Sequence, residues 1–161
     1  TTSVESAKSV NIGCVRMTER HFAHDPATTV QVAAASADIK EAIATAASIV
    51  PITQAKTLIA VAGTATTVAA AALNLSEYDR YAIHLSRISA AQVHDASHMF
   101  LTKSREERLT LGYMHPGRVD VIPAGALVLS HIMSATGASE FVASESDILD
   151  GIARSLAGKS A

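Results

Sequence analysis

The chain has 161 residues, a formal net charge of −2 and one cysteine. This length suits one domain with a buried core, and the charge gives no electrostatic basis for binding nucleic acid or a membrane surface. A single cysteine excludes an internal disulfide and a cysteine-based zinc cluster, which fits a reducing, cytoplasmic setting. Hydrophobic residues make up 48% of the chain and aromatic residues only 4%, which favours helices packed on a sheet over an all-β sandwich.

The N-terminal part of the chain predicts a strand, a helix and a second strand. Residues 10–17 (VNIGCVRM) place β-branched residues around a glycine, so we predict a strand with Cys14 as a small core residue. Apolar residues recur at helical spacing over 29–50, which predicts a helix that ends before Pro51. The apolar run 57–62 (TLIAVA) predicts a central strand covered on both faces.

Helices dominate the middle of the chain. A helix is predicted over 64–73, and residues 83–88 predict an edge strand. Ser89 is a candidate cap for the next helix. Ser104 and Glu107 have the spacing of a capping box, which predicts a further short helix.

The C-terminal part predicts a long helix, a strand and a final helix. The long helix covers 120–136 and stops at Gly137, and residues 141–144 predict a short strand. Ser146 is a candidate cap for a last helix over 147–156.

Strands and helices alternate along the whole chain. This order predicts a single α/β domain over residues 1–161 with a largely parallel sheet. The last residues, 158–161, should fray.

The sequence VAGTATT (residues 61–67) is the first candidate site. Gly63 would let the backbone approach an anion, and the free N–H groups of a helix N-terminus would point at it. Thr64, Thr66 and Thr67 would add hydroxyl donors. The alternative is structural: Thr64 simply caps the helix and Gly63 makes a tight turn. The segment is neither a P-loop nor a GxGxxG fingerprint.

The sequence HPGRVD (residues 115–120) is the second candidate. Arg118 follows a turn and begins a predicted helix, where its guanidinium could fork onto phosphate oxygens. A cation at a helix N-terminus is unfavourable for the dipole, which suggests a ligand-related reason. An ion pair with an aspartate, or a solvated arginine, is the alternative.

Two further clusters contain groups that bind metals in other proteins. The acidic segment 144–151 (SESDILDG) could position water or a metal-bound phosphate, but we favour a role as dipole partners of the last helix. His94 and His98 have the i, i+4 spacing of zinc ligands. They lack the glutamate of HExxH and an obvious third ligand, so a solvated face is favoured and no metal site is predicted.

Five stretches in order resemble the Ppx/GppA phosphatase family, especially its actinobacterial members. They are NIGCVRMTER (11–20), VAGTATTVAA (61–70), IHLSRIS (83–89), MHPGRVDVIPAGALVL (114–129) and ASESDILDGIA (143–153).

The resemblance implies the second domain of an actin-like ATPase (ribonuclease H-like) fold, in which two α/β domains flank a cleft. It implies hydrolysis of terminal phosphoanhydride bonds of polyphosphate or guanosine pentaphosphate, usually with Mg²⁺. Residues 61–67 match the family's second glycine-rich loop, which makes Gly63, Thr64, Thr66 and Thr67 the expected phosphate-binding residues. Arg118 falls in a matching region and is the expected contact to substrate phosphates.

The chain also departs from the family pattern. It lacks the first domain's phosphate loop and catalytic glutamate, and it lacks the DxGGGS loop that opens the second domain. We therefore expect the second domain without its N-terminal strand and loop, with catalytic residues upstream, and no hydrolysis by this chain alone. The open sheet edge would be covered by the missing domain, another chain or a second copy. The alternative is a non-catalytic phosphate- or nucleotide-binding module.

Overall fold

The computed structural model describes residues 4–157, so the predicted fraying of 158–161 lies outside the described residues. Within that range the chain forms eight α-helices and three strands. In order they are α1 (Cys14–His21), α2 (Thr29–Ala47), β1 (Leu58–Val61), α3 (Ala62–Ala72), α4 (Arg80–Ile83), β2 (Arg87–Ser89), α5 (Ala90–Thr102), α6 (Arg105–Leu109), α7 (Ile122–Thr136), β3 (Glu140–Ser144) and α8 (Ile148–Ala157). Short 3-10 turns occupy Ile52–Gln54 and Pro116–Arg118.

The sheet has the strand order β1-β3-β2 and is mixed. β1 runs parallel to β3, with Leu58 opposite Phe141, whereas β2 is antiparallel to β3, with Ser89 opposite Glu140. The prediction of a largely parallel sheet is therefore wrong for β2. The backbone bonds between Leu85 N–H and the Ala143 carbonyl, and between Ala143 N–H and the Ser86 carbonyl, continue the antiparallel pairing past the strand end.

β1 lies at an edge of the sheet, so the prediction of a central strand covered on both faces is wrong. Side chains alternate along a strand, and here Ile59 and Val61 are 60% and 49% exposed while Leu58 and Ala60 face the core. Within residues 4–157 no strand pairs with the other side of β1. An apolar run alone does not distinguish a doubly covered strand from one with a bare apolar face.

Residues 14–21 form helix α1, so the strand predicted over 10–17 is wrong. Gly13 has an extended conformation and precedes the helix, and Cys14 is half-buried in the first turn instead of lying in a core strand. Met17 is fully buried in a cluster with residues of α2 and α7. The next turn is fixed because the Asp38 carboxylate of α2 accepts hydrogen bonds from Arg20 and His21. Contacts remote in sequence thus select the helix.

Local capping signals are confirmed at several helix ends. Ser89 and Ser104 both form capping boxes, with Gln92 and Glu107 as their partners. Gly137 ends α7 with φ 69°. The cap predicted for the last helix is wrong by one residue, because the Asp147 carboxylate accepts from Leu149 N–H, whereas the Ser146 backbone bonds to the Ser144 hydroxyl.

Helix α7 is the central helix of the fold, because it contacts α1, α2, α3 and α5. It separates two apolar clusters, one beside the sheet with α3 and α5 and one with α1 and α2. The close approach of α7 to α3 and α1 requires glycine at position 125. A Cβ there would lie 2.7 Å from Thr64 Oγ1 and 3.0 Å from Cys14 Cβ. The start of α3 is therefore held directly against the middle of α7.

His131 on α7 gives the stability of the chain a predictable pH dependence. Its Nε2 is buried with no hydrogen-bond partner within residues 4–157, and burial, Lys40 and His94 lower the pKa of His131 from 6.5. The unfolded state then binds more protons near and below that pH, so stability should fall as the pH drops below about 6.5. The free energy of unfolding, measured by urea denaturation at several pH values, should depend less on pH in His131→Gln than in the parent chain.

The exposed His98 provides the control for this measurement. His98→Gln should leave the pH dependence as it is in the parent chain. Equal pH profiles for His131→Gln and the parent chain would contradict the assignment to His131.

Every helix among residues 4–157 is too short or too polar to span a lipid bilayer.

Candidate functional site

β1 passes into α3 through a strained turn at Ala62. This alanine has φ 69°, in the left-handed region that costs a residue with a Cβ about 1–2 kcal/mol. Val61, at the N-cap position, provides no side-chain hydrogen bond to the first turn of α3. The backbone N–H groups at the start of α3 thus have no side-chain cap, and strain of this kind clusters at functional sites.

Ala62→Gly is expected to stabilise the chain by up to about 1 kcal/mol, because glycine adopts a left-handed φ without steric cost. Ala34→Gly, at an exposed position inside α2, should instead destabilise it by about 1 kcal/mol. Urea denaturation of both variants provides the comparison. Destabilisation of equal size in both variants would show that Ala62 is unstrained.

The Arg118 guanidinium packs directly on Gly63. A Cβ at Gly63 would lie 2.4 Å from Arg118 Nε and 2.6 Å from Cζ, so only glycine admits the guanidinium in this position. Arg118 Nη1 donates a hydrogen bond to Thr67 Oγ1 at 3.2 Å. Across residues 4–157 the ion pairs of the arginines involve Arg20, Arg87, Arg105 and Arg108, and none involves Arg118. The partly buried cation therefore lacks a carboxylate counterion in the described chain.

The backbone around Arg118 is rigidly fixed. His115 Nδ1 accepts from Gly117 N–H, and the His115 carbonyl accepts from Arg118 N–H at 2.8 Å. The buried Arg108 donates from Nε to the carbonyl of Val119 at 2.9 Å. The 3-10 turn Pro116–Arg118 is thereby held at both ends, and it directs the Arg118 side chain to α3.

The structure brings together four of the five predicted site residues. Gly63 and Thr67 contact Arg118, and Thr66 Oγ1 lies 3.4 Å from the Gly63 carbonyl oxygen, to which it donates. Thr66 and Thr67 are buried, and their hydroxyls bond within the protein. The Thr66 hydroxyl donates to the Gly63 carbonyl, and the Thr67 hydroxyl accepts from Arg118. Thr64 is separate, because its side chain lies against Gly125 of α7.

Tyr78 and Glu145 form a hydrogen-bonded pair that was not predicted from the sequence. The Tyr78 hydroxyl donates to Glu145 Oε1 at 2.5 Å. Burial raises the pKa of Tyr78, the bond to Glu145 raises it further, and the nearby Thr66 hydroxyl and Arg118 guanidinium oppose the increase. Glu145 lies in the acidic segment noted in the sequence, whereas no sequence pattern singled out Tyr78.

The remaining candidates have structural partners. Asp147 caps α8 and Asp150 accepts from Asp147 N–H, as expected for acidic residues at a helix start. His94 Nδ1 lies 2.7 Å from Ser130 Oγ on α7. Residues 4–157 contain no group of three or more histidine, cysteine, aspartate or glutamate side chains placed to hold a metal ion.

An α/β fold with an arginine that has no ion pair beside a glycine turn is typical of proteins that act on phosphate groups. The model of the Ppx/GppA phosphatase family matches residues 1–159. The chain belongs to this family, as the sequence resemblance indicated.

Relatives from two bacteria match nearly the whole chain. Exopolyphosphatase 2 of Mycobacterium tuberculosis is 41% identical over 159 residues, which are 96% of this chain and 50% of that protein. A bifunctional 3-dehydroquinate synthase/phosphatase of Fusobacterium nucleatum is 28% identical over 151 residues, which cover 92% of this chain and 22% of that protein. The chain thus spans about half the length of the exopolyphosphatase and less of the bifunctional protein.

Solved structures of exopolyphosphatase-like and Ppx/GppA proteins have the same fold as this chain. An exopolyphosphatase-like protein superimposes with a TM-score of 0.94 at 39% identity, covering 99% of this chain and 53% of that one. The Aquifex aeolicus member of the Ppx/GppA family gives a TM-score of 0.85 at 23% identity, covering 98% and 50%. The predicted actin-like ATPase fold is confirmed, and the chain comprises about half of it.

Proposed function

We propose that this chain forms part of an exopolyphosphatase-type hydrolase, which releases terminal phosphate from inorganic polyphosphate or guanosine pentaphosphate. The observation that carries the proposal is the Arg118 guanidinium, which lies on Gly63 and pairs with no carboxylate among residues 4–157. A partly buried guanidinium without a counterion is costly unless an anion joins it, and its planar fork matches phosphate oxygens. The identity with exopolyphosphatase 2 supports the same assignment.

Each predicted residue has a distinct role in this proposal. Gly63 leaves room for the guanidinium and for a phosphate at the start of α3, where the uncapped N–H groups and the helix dipole favour negative charge. Thr66 and Thr67 hold the turn and the arginine. Thr64 fixes the first turn of α3 against α7, which keeps the N–H groups aimed at the ligand.

The catalytic groups and the Mg²⁺ expected for the family enzyme are assigned to the half of the relatives' length that this chain does not span. Mg²⁺ neutralises phosphate charge when it is bound, and it commonly coordinates substrate phosphates with only one or two carboxylates. Residues 4–157 contain no group of three or more side chains that could hold a metal ion, so we assign no metal-dependent reaction step to them. We propose that the chain by itself binds phosphate chains without hydrolysing them.

Titration with inorganic tripolyphosphate tests the site. Arg118→Met should weaken binding by about 10-fold or more, because it removes charge-assisted hydrogen bonds. Arg87→Met is the matched control, since the exposed Arg87 pairs with Glu140 on β3. Equal affinities of the two variants would disprove the assignment of Arg118.

A second candidate function is a non-catalytic phosphate- or nucleotide-binding module. The observation that favours it is that this chain spans only 50% of the length of exopolyphosphatase 2. A phosphate-release assay distinguishes the two functions when the chain is joined to the half of exopolyphosphatase 2 that it does not span. Hydrolysis of polyphosphate supports the hydrolase, whereas binding without turnover supports the module.

The position of β1 at the edge of the sheet supports the proposal that this chain binds a partner. No strand of residues 4–157 pairs with the outer edge of β1. This edge and the exposed Ile59 and Val61 would be covered by a region equivalent to the half of the relatives that this chain does not span, by another chain or by a second copy. Light scattering of the isolated chain tests the last option, and a monomer at all concentrations would exclude it.

A further inference from the structure

His115 begins the exposed segment that carries Arg118. Residues 115–117 are exposed, whereas Met114 and Val119 on either side are buried in the apolar cluster beside the sheet. The core therefore fixes the two ends of this segment. The exposed residues between those ends depend on hydrogen bonds made within the turn itself.

The backbone N–H groups of the turn bond to His115. Pro116 has no N–H group. Gly117 donates to His115 Nδ1 at 3.0 Å, and Arg118 donates to the His115 carbonyl at 2.8 Å. Because Nδ1 accepts a hydrogen bond, the imidazole that makes this contact is neutral and carries its proton on Nε2. His115 thus holds the 3-10 turn Pro116–Arg118 with both its side chain and its carbonyl.

The imidazole of His115 also packs closely on the turn. A Cβ at Gly117 would lie 3.3 Å from His115 Nδ1 and 3.4 Å from Cε1, so glycine leaves the ring just enough room. The ring and the Gly117 N–H group are therefore held in contact by both packing and a hydrogen bond.

The position of this turn determines where the Arg118 guanidinium lies. A Cβ at Gly63 would be 2.4 Å from Arg118 Nε, and Nη1 donates to Thr67 Oγ1 at 3.2 Å. These contacts join the turn to α3, and a turn that moved would carry the guanidinium away from both residues. A fixed backbone also limits the orientations in which the long arginine side chain meets a phosphate.

We propose that His115 is a positioning residue for the phosphate site: by accepting from Gly117 N–H, its imidazole holds the turn so that the Arg118 guanidinium lies over Gly63 and binds phosphate oxygens. This inference rests on the proposed phosphate-binding function and adds to it a residue that acts through Arg118. Because His115 is exposed, its side chain can be changed without disturbing the core.

Titration of the 161-residue chain with inorganic tripolyphosphate, followed by NMR, tests the proposal. His115→Ala removes the acceptor of Gly117 N–H and should raise the dissociation constant about 3- to 10-fold, the effect of one lost hydrogen bond. His115→Asn should restore most of the affinity, because an asparagine oxygen accepts from the N–H group two residues further on. His94→Ala is the matched control and should bind as the parent chain does, since His94 Nδ1 contacts Ser130 on α7 instead.

A double-mutant cycle separates positioning from direct contact with the phosphate. In the Arg118→Met background, His115→Ala should have no further effect, because His115 acts through the arginine. If His115→Ala weakens binding equally in both backgrounds, the imidazole contacts the phosphate directly and the positioning role is wrong. If His115→Asn binds as weakly as His115→Ala, the bond to Gly117 is not what matters and the positioning role is again wrong.

The outcomes also separate this inference from the proposed function. If Arg118→Met weakens binding but His115→Ala changes it less than about twofold, the positioning role is wrong and the phosphate site stands. If Arg118→Met itself has no effect, the proposed function fails and the role of His115 fails with it.

NMR of the chain without ligand tests the hydrogen bond itself. Above the ordinary titration range of histidine, the imidazole nitrogen shifts of His115 should show the proton on Nε2. The Arg118 Nε–Hε signal should be sharp in the parent chain and in His115→Asn. It should broaden in His115→Ala, at an unchanged melting temperature. An identical Arg118 signal in His115→Ala and the parent chain, or a His115 proton on Nδ1, would overturn the proposal.

Discussion

Replacing Arg108 by methionine should lower the free energy of unfolding by about 3–5 kcal/mol, the largest single effect expected in this chain. Arg108 is 1% exposed and donates to the backbone carbonyls of Phe100, Lys103 and Val119. A fourth bond, from Nη2 to Asp25 Oδ1 at 2.5 Å, ties residue 25 to α6. Methionine fills a similar volume but leaves these acceptors without a donor.

Arg105 is the matched control for this prediction, because it lies three residues earlier and is exposed. Its side chain pairs with Asp120 at 2.7 Å in solvent, so Arg105→Met should cost less than about 1 kcal/mol. Urea denaturation measures both variants. A loss below about 1 kcal/mol in Arg108→Met would show that water satisfies the freed carbonyls. Since Arg108 also holds the Val119 carbonyl beside Arg118, any folded Arg108 variant should bind tripolyphosphate more weakly.

Gly63→Ala should weaken tripolyphosphate binding by about 10-fold or more while changing the stability of the chain by less than about 1 kcal/mol. The new Cβ would overlap Arg118 Nε, Cζ and Nη2, so the guanidinium must leave the turn. The cost to folding is small because only the flexible end of a side chain moves, and alanine favours a helix over glycine.

Gly151→Ala in α8 controls for the effect of adding a methyl group, because a Cβ there meets nothing within 4 Å. This variant should bind tripolyphosphate as the parent chain does. Titration of both variants, with the unfolding midpoint measured in parallel, separates loss of the site from loss of the fold. Unchanged affinity in Gly63→Ala would mean that Arg118 is not the group that binds the anion.

Part of the candidate site could be predicted because its residues are adjacent in sequence. Gly63, Thr66 and Thr67 occupy one strand–helix junction, and a glycine followed by threonines at a helix start is a local signal. Arg118 was predicted separately, from its place in the segment HPGRVD (residues 115–120). Tyr78 lies 67 residues from Glu145, and no local pattern couples a tyrosine in one connecting segment to a glutamate after a strand.

The sequence by itself determined the helix caps at Ser89 and Ser104, the helix stop at Gly137 and the membership of the Ppx/GppA family. Caps and stops depend on hydrogen bonds and dihedral angles within a few residues, so local sequence specifies them. Tertiary structure alone decided that residues 14–21 form a helix, that β1 is an edge strand, and that the Gly63 turn faces Arg118. Those features depend on the burial of Met17, on strand order and on contacts between distant segments, which the packing of the whole chain sets.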